Sequence, residues 1–158
     1  MNLVTVRRCG SWFLLSVKPG FCEIGESQAR LQPDGLEKHS REEYLGTPVK
    51  IKAFREDIRL DPVHYLKAYV RRTKHLRQGD KLLVSVRKPH KVVLAATISK
   101  WLSSVISMSG QWGTGGSVRS VSTSYALGRG ATLQSILEAG DWARASTSRG
   151  FIIKPVIM

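Results

Sequence analysis

Hydrophobic and polar residues follow two different periods along this chain, and the change falls near Asp61. Before it the apolar runs are short. Residues from about Leu3 to Val17 carry no proline and suit a short helix that gives way to a turn at Lys18-Pro19-Gly20. Phe21–Ile24, Ala29–Gln32 and Pro48–Ala53 then read as extended segments, parted by polar turns at Gly25, Pro33-Asp34-Gly35 and Gly46. From Asp61 the spacing becomes helical. Asp61 can cap a helix with Pro62 at its first position, and Val63, Leu66, Tyr69 and Val70 form an apolar stripe ending near Thr73. Lys81–Val86 is a short apolar segment. A helix over Thr97–Ser109 would carry Ile98, Trp101, Leu102, Val105 and Ile106 on one face. Gly110–Gly116 reads as a loop, followed by helices over Ser117–Leu127 and Thr132–Ala139. On the first of these, Tyr125 shares a face with Val118, Val121 and Ser122 and reads as core. The predicted fold class is α+β, mainly helical, with a small antiparallel sheet near the N-terminus.

Composition narrows the picture. The 158 residues suit a single domain, and a hydrophobic content of 42% is that of a folded chain. Lys and Arg number 25 against 12 Asp and Glu, a formal net charge of +13. That excess favours a polyanionic partner, nucleic acid before membrane, although a basic solvated surface would show the same balance. Cys9 and Cys22 form no C-x-x-C pair, and His39, His64, His75 and His90 lack zinc-ligand spacing, so neither metal nor cofactor is expected. No apolar run approaches the roughly 18 residues of a membrane span. The start, T-V-R-R-C-G-S-W-F-L-L-S-V, has a basic stretch before an apolar one, but Lys18 and Pro19 cut it short and no cleavage site follows. The expected location is nuclear or cytoplasmic, not secreted.

Candidate chemistry lies mostly toward the C-terminus. Gly116 to Pro155 reads G-S-V-R-S-V-S-T-S-Y-A-L-G-R-G-A-T-L-Q-S-I-L-E-A-G-D-W-A-R-A-S-T-S-R-G-F-I-I-K-P. This stretch resembles the end of a tyrosine-recombinase (phage-integrase-type) catalytic domain, especially those of eukaryotic mobile elements. In that family H-S-x-R precedes a small-residue helix, a short helix ending A-D-W, and F-Y-x-K-P. The resemblance implies DNA breakage by tyrosine attack on a backbone phosphate, with two arginines clamping the phosphate oxygens through paired donors. It places Arg119 in the second clamp position and Trp142 at the family's Trp, an N–H donor to the phosphate. R-R-C-G-S-W-F-L-L-S-V resembles the family's R-x-x-(E/D)-L-x-x-L-S, which puts Arg8 in the first clamp; a one-residue slip would choose Arg7. R-L-Q-P-D-G-L-E-K resembles the stretch bearing the hairpin lysine, giving Lys38, with Lys50 and Lys52 also close to a strand.

Two side chains of that chemistry are missing. The family histidine falls on Gly116 and the nucleophilic tyrosine on Ile152. Neither glycine nor isoleucine can carry a proton or attack phosphorus. The segment from Arg71 to Lys91 also resembles a family stretch, L-R-x-x-D-K-L-F-V-S-x-R-K-P-H-K. Its cations, Arg71, Arg72, Lys74, Arg77, Lys81, Arg87, Lys88 and Lys91, face one carboxylate, Asp80, and would track duplex DNA phosphates. Together these readings imply one truncated recombinase catalytic domain over residues 1–158, without the family's N-terminal DNA-clamping domain. It would bind DNA but not cleave it, and would take no small-molecule substrate; self-association stays open. The alternatives are a recombinase using a tyrosine supplied in trans, a basic domain that meets RNA or an acidic protein, and a decaying element without function.

Overall fold

A computed structural model describes residues 7–36, 47–108, 110 and 113–142. Its contacts divide the chain into two compact units, Gly10–Ala95 and Met1–Cys9 with Ala96–Met158.

The Gly10–Ala95 unit is built on a three-stranded antiparallel sheet, β1 (Cys22–Ile24), β2 (Gln28–Leu31) and β3 (Val49–Lys52), in the order β1-β2-β3. Period-two alternation is visible in the burial. Ala29, Leu31, Val49 and Ile51 are buried, while Gln28, Arg30, Lys50 and Lys52 between them are exposed. Register pairs Cys22 with Leu31, Ala29 with both Ile24 and Ile51, and Leu31 with Val49, so the apolar positions share one face. Helix α1 (Cys9–Phe13) precedes the sheet in the chain and buries Ser11 and Trp12. Helix α2 (Pro62–Thr73) packs on β3 with Val63 and Leu66 buried. It starts where local chemistry dictates: the Asp61 carboxylate accepts from the Val63 and His64 amides at 2.8 and 3.2 Å, and Pro62 follows. Burial works to raise the Asp61 pKa, but these backbone bonds, with one from Phe54, hold it below its ordinary value. Beyond α2, isolated bridges Ser16–Lys81 and Val84–Val92 fix the Lys81–Val86 segment, burying Leu82 and Val84.

In the second unit, α3 (Ala95–Met108) leads to α4 (Gly115–Gly128) and α5 (Leu133–Gly140). Helix α4 begins at a capping box: Thr114 Oγ1 accepts from the Ser117 amide at 3.3 Å while Ser117 Oγ accepts from the Thr114 amide at 3.2 Å. Thr132 caps α5 without the reciprocal bond, its hydroxyl accepting from the Ser135 amide at 3.1 Å. One expectation is overturned here, that of Tyr125. Of the apolar face on α3 only Ile98 is buried, while Trp101 and Val105 are exposed. Tyr125 is not core: it is 59% exposed, beneath the Arg129 guanidinium at 5.7 Å. Period alone marks a face without saying what covers it.

The α+β, mainly helical class and the small antiparallel sheet near the N-terminus match the expectation from sequence.

Candidate functional site: two buried arginines on one helix end

The polar residues of greatest chemical interest gather where α5 ends. Gly140 closes the helix, and Asp141, in the left-handed conformation at φ 54°, turns the chain so that Trp142 folds back over Gly140. A left-handed C-cap suits glycine first and Asp or Asn next. Gly140 is required for another reason. A Cβ there would lie 2.4 and 2.5 Å from Trp142 ring carbons, so the indole takes the space of the missing side chain.

Arg119, on α4, reaches this corner and is 4% exposed. Its Nη2 donates to the Gly140 carbonyl at 2.7 Å, and its guanidinium carbon sits 3.9 Å over the Trp142 ring. Hydrogen bonding and stacking together suit the planar, always-charged guanidinium better than a lysine. One turn further along, fully buried Thr123 returns its hydroxyl to the Arg119 and Ser120 carbonyls at 3.0 and 2.9 Å. A second arginine approaches from the N-terminal segment. Arg7 is 2% exposed, and its Nη1 lies 3.0 Å from Asp141 Oδ2. Two guanidinium groups from distant parts of the sequence therefore hold three consecutive residues: Arg7 binds Asp141, and Arg119 binds Gly140 and Trp142.

The N-terminal arginine at this corner is Arg7, not Arg8. Arg8 is exposed, whereas the residue before it is buried against a carboxylate. The sequence signal was the slip between neighbours, and the decisive partner, Asp141, lies too far along the chain for a local motif to reveal. Gly116 lies on the first turn of α4 and is exposed; a Cβ there would meet only Thr114 Oγ1, at 3.5 Å. Lys38 and Ile152 lie outside the described residues.

The basic segment divides into two kinds of cation. Arg71 and Arg72 lie exposed in the last turn of α2, where the helix dipole favours positive charge, and Lys74 follows, also exposed. Arg87, Lys88 and Lys91 are exposed on a tight loop closed by the Ser85 amide donating to the Lys91 carbonyl at 2.7 Å. Gln78 ties that loop to the end of the helix, donating to the Pro89 carbonyl at 2.9 Å. Arg77 and Lys81 are different, being half-buried and already hydrogen-bonded within the chain. Arg77 donates to the Val70 and Leu82 carbonyls, both at 3.2 Å, and lies 5.7 Å from the Tyr69 ring. Burial lowers its pKa. Lys81 donates to the Asp34 carbonyl at 3.0 Å and sits 5.7 Å over Phe13. Both bind carbonyls of the chain itself.

With this geometry established, similarity to known proteins becomes informative. The crystal structure of XerA recombinase matches 97% of this chain with a TM-score of 0.70 at 15% identity. The fold is recombinase-like. The chain spans about half the length of that recombinase, 51% of it. No protein-family model matches the chain, and no curated protein sequence matches it significantly. Among the described residues of this recombinase-like fold no group of three or more His, Cys, Asp or Glu could hold a metal ion. Nor is any helix there long and apolar enough to cross a membrane.

Proposed function

We propose that the chain is a DNA-binding derivative of a tyrosine recombinase, of the kind found in eukaryotic mobile elements, that does not cleave its DNA. The observation that carries the binding is the exposed set Arg71, Arg72, Lys74, Arg87, Lys88 and Lys91, drawn into one neighbourhood by the Gln78–Pro89 bond. Six such cations in a recombinase-like fold form a surface for phosphates rather than for base edges, so binding is poor in sequence specificity. Loss of cleavage rests on residue chemistry. Ile152 brings no hydroxyl to the nucleophile position and Gly116 brings no imidazole.

The phosphate-clamp positions fall on Arg7 and Arg119. Both guanidinium groups already hold partners, the Asp141 carboxylate and the Gly140 carbonyl, so an incoming phosphate competes with bonds that maintain the corner. On this reading Arg119 and Trp142 serve to hold the corner together, while the exposed cations supply the affinity.

Anisotropy titration of a labelled duplex across salt concentrations tests the binding. These six phosphate contacts predict a contribution of roughly −5 to the slope of log K against log salt. A salt-independent affinity, or a clear preference for RNA or an acidic polypeptide, would refute DNA as the partner. A suicide duplex tests the chemistry, and no covalent adduct is expected. An adduct that survives replacement of every tyrosine of this chain by Phe would instead point to attack by a partner's tyrosine. The paired change Gly116→His with Ile152→Tyr should restore at most weak cleavage, since a Cβ at Gly116 makes only an ordinary contact but both arginines stay engaged.

A further inference from the structure

The solvent face of the sheet holds an arrangement that folding alone does not favour. Register sets Arg30 of β2 directly opposite Lys50 of β3, and Gln28 opposite Lys52. Arg30, Lys50 and Lys52 are all exposed on the face opposite the apolar residues that pack toward α2. Directly opposed side chains on neighbouring strands stand about 5 Å apart at Cβ, and like charges there destabilise a sheet. Glu23 of β1, opposite Arg30, relieves part of this with a loose ion pair at 3.8 Å, both groups being well exposed. Lys50 and Lys52 have no ion-pair partner among the described residues. A three-stranded sheet with strands of three and four residues has little stability to set against such repulsion.

We propose that this sheet face is a second contact surface for duplex DNA, with Arg30, Lys50 and Lys52 neutralising backbone phosphates. The proposal rests on the DNA-binding reading above and adds to it a surface separate from the Arg71–Lys91 segment. Phosphates relieve the cross-strand repulsion, since counterions released from DNA are replaced by side chains already held side by side. Glu23 is the unfavourable neighbour: its carboxylate competes for Arg30 and repels the same phosphates. A solubilising role would not call for two cations directly opposed across strands; alternating signs would serve it better.

The test uses the full chain and a labelled duplex. The combined variant Arg30→Gln, Lys50→Gln, Lys52→Gln should lower the magnitude of the salt slope by about 2–3, at roughly 0.9 per lost contact. Its affinity at about 0.1 M salt should fall ten-fold or more, and its melting temperature should hold or rise because the repulsion is gone. Glu23→Gln should tighten binding several-fold, a gain that misfolding cannot produce. The variant Arg71→Gln, Arg72→Gln, Lys74→Gln reads the other surface. If it loses slope while the sheet variant keeps the full slope, the sheet proposal is overturned and DNA binding stands. If the unaltered chain does not bind the duplex, both fail together.

Discussion

Replacing Gly140 by alanine probes the corner that both arginines hold. The added Cβ would lie 2.4, 2.5 and 3.0 Å from three carbons of the Trp142 ring. Carbon atoms rest at about 3.5–4.0 Å, so the indole or the end of α5 has to move by about 1 Å. Overpacking of this kind costs about 1–3 kcal/mol. Movement of the ring also weakens its stacking with Arg119, now at 3.9 Å, worth about 0.5–2 kcal/mol for a desolvated pair. Together these predict a loss of about 2–4 kcal/mol. Gly128→Ala is the matched control, because it also sits at a helix end but nothing lies within 4 Å of its Cβ position. That substitution should be neutral or stabilising by up to about 1 kcal/mol. Urea unfolding followed by circular dichroism reads both through the midpoint. Equal midpoints for Gly140→Ala and Gly128→Ala would refute the packing of Trp142 over Gly140, and with it the claim that the corner is rigid.

Other outcomes follow from the same contacts. Asp141→Ala should destabilise by about 1–3 kcal/mol, because it removes one charged partner of the buried Arg7 as well as straining the left-handed turn. Asp141→Asn tolerates that turn better and should cost less, a ranking readable by thermal melting. Arg77→Gln should lower the melting temperature while leaving the salt slope of DNA binding unchanged; Arg71→Gln should do the reverse. Acid should weaken the fold. The Lys67 hydrogen bond holds the Glu26 pKa below its ordinary value, and the Arg59 hydrogen bond does the same for Asp57. Each carboxylate therefore contributes stability that is complete above its unfolded pKa and lost as pH falls through its lower folded pKa, below about pH 4. Melting temperatures taken down through that range should drop, and Asp57→Asn should flatten the acid limb.

Local chemistry was enough for most of the secondary structure, but not for the first helix, which covers Cys9–Phe13 and ends before Leu15 and Ser16, both held in bridges, rather than running on to Val17. Asp61-Pro62 fixes the start of α2, alternation in Q-A-R-L and V-K-I-K fixes two strands, and Thr132 caps α5, because each depends on residues a few positions apart. Arg119 and Trp142 were marked by one ordered run of the resemblance, and the fold brings the two into contact. The helix over Gly115–Gly128 began earlier than the glycines suggested, because the Thr114 capping box offsets their poor propensity. Tertiary structure decided the remainder. That Arg7 rather than Arg8 is buried turns on Asp141, far away in sequence, and burial of one arginine beside a carboxylate cannot be read from its neighbours. Arg77 and Lys81 resembled the other cations until the fold brought main-chain carbonyls within reach. Tyr125 and Trp101 kept helical spacing yet stayed exposed, since periodicity sets which side chains share a face and only packing sets which faces are covered.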